Sequence, residues 1–170
     1  MALTLRFPGP ADEAVCRRLH DQLAADNFVF LHADGSWDEI CASVRREHEG
    51  INIAPGRVRS SWLLADVDGE VVGRVSIRHE LNEFLLHEGG HIGYAVAPDH
   101  RRRGYATEIL RLAVADLAAE GVDRVLVTCD DTNVASAGVI EKLGGVLDDV
   151  RPGRGRIPKR RYWIVAPVAA

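Results

Sequence analysis

His91-Ile-Gly-Tyr-Ala-Val-Ala-Pro-Asp-His-Arg-Arg-Arg-Gly-Tyr-Ala-Thr-Glu108 is the stretch that decides how this chain folds. His91 to Val96 reads as a strand, ended by Ala97-Pro98-Asp99. After Gly104 a long helix is expected, because Ile109, Leu110, Leu112, Ala113, Val114 and Leu117 fall on one apolar stripe and Gly121 follows as terminator. The first N–H groups of such a helix have no intrahelical acceptors, and the helix dipole adds partial positive charge there. A diphosphate suits that place. Gly104 and Ala106 lack bulk, Arg101, Arg102 and Arg103 bring charge, and Thr107 brings a hydroxyl. Taken alone, the pattern leaves both an anion site and an ordinary solvated turn open. It is neither a P-loop nor the Gly-x-Gly-x-x-Gly dinucleotide turn, since the turn from Arg101 to Thr107 has a single glycine, Gly104.

Upstream, Leu3 to Phe7 reads as a first strand closed by Pro8-Gly9-Pro10, and Ala11 to Asp26 as a helix with Asp12 at its N-cap. Ser36 opens a second helix that Gly50 stops, and Phe28 to Leu31 is an apolar run of open type. Ser61 to Asp66 and Val71 to Arg78 are two strands joined by Val67-Asp68-Gly69-Glu70, where Asp-Gly marks a hairpin. Asn82 to Gly90 is a connection. Downstream, Arg124 to Cys129 is an almost wholly apolar strand, covered on both faces. Asp131-Thr132-Asn133 leads into a helix from Ala135 to Leu143, and Val146 to Val150 and Arg161 to Val165 close the sequence as a strand pair. The order is β-α-α-β-β-β-α-β-α-β-β. It implies a mixed α/β (α+β) sheet, mostly antiparallel, with one parallel pair formed by a right-handed crossover and helices on it. Residues 1–170 are expected to form one domain.

Bulk composition is that of a soluble globular protein, with 46% hydrophobic and 27% charged residues. A net charge of −4 gives no general attraction to nucleic acid or anionic membrane. Cys16, Cys41 and Cys129 lack metal-ligand spacing and read as apolar filler, so no metal site is expected. There is no apolar leader and no run long enough to span a membrane, which makes a cytoplasmic protein the expectation.

Arg101-x-x-Gly104-x-Ala106 after Val96-Ala-Pro98 resembles the acyl-CoA signature of the GNAT superfamily of N-acetyltransferases. Asn133-x-x-Ser136 followed by Ile140-Glu-Lys142-Leu-Gly144-Gly145 is similar to that family's second conserved block. The likeness runs from about Trp62 to Gly145, and His79-Glu-Leu-Asn82, Gly89-Gly-His-Ile-Gly-Tyr94, Thr128-Cys-Asp130 and Arg161-Tyr-Trp-Ile164 resemble a bacterial branch of it. The resemblance implies the GNAT fold, acetyl-CoA as cofactor and CoA as product, and direct transfer to the primary amine of a small molecule or peptide, with a homodimer possible. It places Ala95, Val96 and Ala97 along the pantetheine arm, the turn from Arg101 through Tyr105 to Thr107 on the pyrophosphate, and Asn133 and Ser136 at the thioester. Asn133 can equally be a helix N-cap, and Ser136 a first-turn hydroxyl.

One departure stands out. Many relatives carry a tyrosine as general acid where this chain has Ile140. Ser136 or a water is then left to protonate the thiolate. Candidate bases are His91, Glu88 and Glu83, with Glu80 and Glu83 alternatively gripping a cationic acceptor. The run Arg151 to Arg161, with six basic residues in eleven positions, reads as a mobile loop, either recognising an anion or merely solvated. A non-catalytic acyl-CoA-binding or sensing module is the alternative to an enzyme, and the missing tyrosine is its support.

Overall fold

Asp68 and Gly69 both take positive φ, 53° and 88°, which is the two-residue turn whose twist suits a hairpin. They join β2 (Ser60–Val67) to β3 (Glu70–Arg78) in the computed structural model, which describes residues 2–168. The other strands are β1 (Leu3–Arg6), β4 (Ile92–Val96), β5 (Arg124–Asp130), β6 (Val146–Arg151) and β7 (Lys159–Val165). They make one seven-stranded sheet in the order β1-β2-β3-β4-β5-β7-β6. All neighbours are antiparallel except β4 and β5, which meet in register only at Ile92 and Val127. That single parallel contact places a split in the middle of the sheet.

Helices α1 (Glu13–Ala24) and α2 (Trp37–Glu49) cover one face of the sheet, and α3 (Tyr105–Ala119) and α4 (Val134–Lys142) cover the other. The first face buries Leu19, Leu23, Phe30, Ile40 and Val44 against Trp62, Leu64 and Val71. The second buries Ile109, Leu110, Ala113 and Leu117 against Val75, Ile77, Val125 and Val127. Each fully buried aliphatic side chain contributes roughly 1.5–3 kcal/mol, so the two layers lock the sheet from both sides.

Element order and type follow the sequence expectation, with shifted ends. The first helix starts at Glu13 rather than Ala11, after a short 3-10 turn over Pro10–Asp12. Asp12 makes no cap to α1. Its carboxylate instead accepts from Gly9 N at 2.7 Å and from Arg6 at 2.8 and 2.9 Å, and the Arg6 guanidinium holds it below the usual carboxylate range. The connection before β4 contains a π-helical turn, Leu85–Gly89, which apolar periodicity could not announce. None of the described helices is long and apolar enough to cross a membrane.

Candidate active site

The site begins where β4 loses its neighbour. Ala97 N donates to Val72 O of β3 at 2.8 Å, and residues along a strand address opposite neighbours in turn. Tyr94 and Val96 therefore direct their main-chain groups toward β5, which has already diverged. The gap widens into a cleft of about 720 Å³ lined by Tyr94, Ala95 and Val96, by the turn and first residues of α3, and by Asn133, Ser136, Val139 and Lys142 of α4 and its cap. Leu23, Asp26 and Phe28 close it from the first helical layer.

At one end of the cleft stands the N-terminus of α3. Arg102 and Gly104 both have positive φ, 64° and 83°, and together they turn the chain so that the first residues of the helix line the cleft. Gly104 is the N-cap and has no side chain to cap them. An added Cβ there would meet nothing within 4 Å, so the space above this turn is open to a ligand. Arg101 is tied by Nη2 to Asp26 at 2.6 Å and by Nε to Val96 O at 3.4 Å, so it braces the turn. Arg102 lines the cleft with no carboxylate partner among the described residues, whereas Arg103 is exposed and does not line it. Ala97 is 2% exposed and packs in the core of the α1–α2 face, away from the cleft.

Midway along the cleft, Tyr94 Oη meets Ser136 Oγ at 3.0 Å, bridging β4 to the first turn of α4. Burial pushes the Tyr94 hydroxyl above its ordinary pKa, so it stays protonated at neutral pH. Asn133 Oδ1 accepts from Ser136 N at 3.1 Å and so caps α4, fixing the backbone that carries the serine hydroxyl. Ile140 is wholly buried in the α3–α4 core. Two phenols line this cleft, Tyr105 at the start of α3 and Tyr94 on the strand, and it is the strand's that meets Ser136. Sequence reasoning had left Tyr94 without a role; the signal was its place between Ile92 and Val96, which share its face of the sheet.

Residues 2–146 match the family described as Acetyltransferase (GNAT) domain. The chain belongs to that family. The uncharacterized N-acetyltransferase YjdG of Bacillus subtilis (strain 168) is 32% identical over 106 residues, 61% of this chain and 58% of that protein, so the chain spans less than two thirds of that relative. Among solved structures, yncA of Salmonella typhimurium, a putative acetyltransferase with its cofactor acetyl-CoA, superposes with a TM-score of 0.65 at 19% identity, over all of this chain and 97% of that one. Spermidine N-acetyltransferase from Vibrio cholerae, in complex with CoA and spermine, gives 0.68 at 19% identity over 96% and 95% of the two chains.

The remaining candidates lie outside this GNAT cleft. His91, expected as a base, is 5% exposed at the root of the split. Its Nδ1 accepts from Leu126 N at 2.9 Å while the main-chain N–H of His91 donates to Leu126 O at 2.8 Å. The proton of the neutral ring is then on Nε2, and the only basic nitrogen is occupied. Burial pushes the ring down to about 4, with Arg78 adding to the effect. His91 is a clamp between β4 and β5, which corrects its reading as a base. Glu83 and Glu88 line a separate hollow of about 560 Å³ with Phe84, His87 and Arg154, and Glu80 is exposed. Glu88 is buried and accepts from Arg154 N at 3.0 Å.

Of the six basic residues of the run from Arg151 to Arg161, only Arg156, which is exposed, has no carboxylate partner among the described residues. Arg151 pairs with Asp149, Arg154 with Glu88, Lys159 with Asp130, Arg160 with Asp131, and the buried Arg161 with both Asp148 and Asp149.

Proposed function

We propose that this GNAT chain is an acetyl-CoA-dependent N-acetyltransferase that passes the acetyl group directly to a primary amine within a ternary complex. One observation carries the reading: the uncapped end of α3 opens into a cleft whose middle holds the Tyr94–Ser136 hydroxyl pair. Bound acetyl-CoA supplies an acyl group activated by a thiolate leaving group. The N–H groups from Gly104 to Thr107 and the side chain of Arg102 would hold its diphosphate. The main chain at Tyr94 and Val96 would pair with the pantetheine arm as an added strand does. Val96 N–H is the donor for charge developing on the acetyl oxygen. Tyr94 keeps its proton at neutral pH and can donate it, directly or through Ser136, to the departing sulfur. A C–N bond forms as a C–S bond breaks, and the nitrogen gives up one proton to solvent.

A thermal-shift titration with acetyl-CoA, CoA and ATP in parallel tests the binding half. A ligand at a hundred times its dissociation constant stabilises the native state by about 2.7 kcal/mol. Both CoA species should shift the transition and ATP should not; no shift with either CoA species would overturn the reading. Tyr94→Phe tests the chemical half. It should lower kcat about 10²-fold while acetyl-CoA affinity stays within about twofold. The buried Ile140 favours one rival, a non-catalytic acyl-CoA-binding module. Such a module would show the same thermal shift but no thiol release with any amine.

A further inference from the structure

On β3, Val75 and Ile77 enter the α3–α4 core, so Arg74, Ser76 and Arg78 face the α1–α2 side. β3 is an interior strand, yet Ser76 is partly exposed, as is Gly93, its partner across the β3–β4 pair. Solvent reaches the middle of the sheet through an opening in this layer, on the opposite face from the α3 turn. Two guanidiniums flank that opening, and neither has a carboxylate partner among the described residues. Arg74 is 8% exposed and held by neutral groups, with Nε on Phe30 O at 3.2 Å, Nη2 on Val29 O at 2.6 Å and Nη1 on Ser76 Oγ at 3.1 Å.

Arg78 sets the Nη1–Nη2 end of its guanidinium over Gly93. A Cβ built there would stand 3.4 Å from both Nη1 and Nη2, so the glycine makes room for the guanidinium. Nη1 donates to Gly89 O at 3.1 Å and Gly90 O at 3.4 Å. Nε and Nη2 have no partner among the described residues, and these two N–H groups form the edge that takes a carboxylate at two points. Glu47, whose charge reaches Arg78, is already taken by Arg57 at 2.8 and 3.1 Å and by His32 at 2.7 Å. A buried cation without a counter-charge is costly, and an incoming anion relieves that cost.

Resting on the acetyltransferase reading above, we infer that the acceptor is a small amine bearing a carboxylate a few bonds from its nitrogen, an amino acid in chemical class, with the carboxylate held by Arg78 beside Ser76 and Arg74. Gly93 immediately precedes Tyr94, so a carboxylate on Arg78 leaves the nitrogen close to the split through which the two faces communicate. The amine forms the C–N bond as the C–S bond breaks, and the carboxylate is carried through unchanged. A polyamine would meet two like charges on this path.

Thiol release is measured with acetyl-CoA and the free α-amino acids, each beside its C-terminal amide, with spermidine as a cationic control. At least one acid should be acetylated with kcat/KM about 10²-fold above its amide. Arg78→Gln should remove most of that preference through KM, with the acetyl-CoA thermal shift retained, and Arg78→Lys should restore part of it. Equal use of acid and amide, or a preference for spermidine, overturns the inference. So does a protein that binds acetyl-CoA and acetylates none of the acids. A protein that fails to bind acetyl-CoA overturns the acetyltransferase reading itself. Should Arg78→Gln not fold, the acid-to-amide ratio of the unaltered protein decides the matter alone.

Discussion

Helices α2 and α3 begin with the same unsatisfied backbone and end up with opposite uses. At α2, Ser36 Oγ accepts from Glu39 N at 3.3 Å and Glu39 Oε2 accepts from Ser36 N at 2.9 Å, a reciprocal capping box. At α3 the cap position is Gly104, with no side chain to offer. A glycine in place of a capping side chain costs only about a few tenths of a kcal/mol, so α3 forgoes a little local stability that α2 keeps. A helix end that supplies its own acceptor is a stability device; one that withholds it, inside a cleft, is a place for a ligand's oxygens. The start of α4 lies between the two, capped by Asn133 and lining the cleft at the same time.

Gly104→Glu should break this contrast most severely. It puts an anion on the end of α3, in open space where nothing in the protein resists it beyond the strain of a positive φ. Acetyl-CoA affinity, measured by calorimetric titration, should fall at least ~100-fold, equivalent to about 2.7 kcal/mol. Normal affinity would mean the diphosphate lies elsewhere. Asn133→Ala should show both effects at reduced size. We expect about 1 kcal/mol lost in denaturant unfolding and about tenfold weaker acetyl-CoA binding, because the cap also holds Ser136 in place. Ser36→Ala should cost about 1 kcal/mol of stability with acetyl-CoA affinity unchanged. Weaker binding in that variant would show that the two helix ends are coupled.

Both ends were legible in the sequence to different depths. The α2 box is local: Ser36 and Glu39 are three residues apart, and Gly50 closes the helix with φ 75°. The α3 turn was visible as a glycine among arginines, but which arginine is free was not. Arg101 is bound to Asp26, 75 residues away in sequence, and that pairing depends on α1 docking beside β4. The basic run 151–161 looked like an available charge because its carboxylate partners come from Glu88, Asp130, Asp131 and the neighbouring strand. Conversely, Arg74 and Arg78 looked like ordinary strand residues, and only the burial of β3 made their charge consequential. His91 failed as a base for a related reason: the parallel contact that occupies its ring nitrogen joins strands 35 residues apart. Local patterns revealed caps, turns and strands, whereas the partners of charged groups are set by tertiary contacts.

The smallest expected effect is also the cleanest way to sharpen the comparison. Glu39 has its pKa lowered, first by the hydrogen bond from Ser36 N and then by that from the Ser36 hydroxyl. A carboxylate whose folded pKa lies below its unfolded value contributes stability above the unfolded value, near 4.5, and loses it as pH falls through the folded one. Glu39→Gln keeps an acceptor at the same place in the box but removes the charge. At neutral pH the unaltered protein should therefore unfold at a slightly higher temperature than the variant, and the gap should close as acid protonates Glu39. A gap that persists unchanged into acid would mean that the amide fits the box poorly, so that geometry and not charge separates the two. The α3 end offers no counterpart to this titration. Its first-turn carboxylate, Glu108, is held by Arg111 at 2.6 and 2.8 Å and has its own pKa lowered by that pairing, so acid reaches α2's cap through a group that α3 does not use as one.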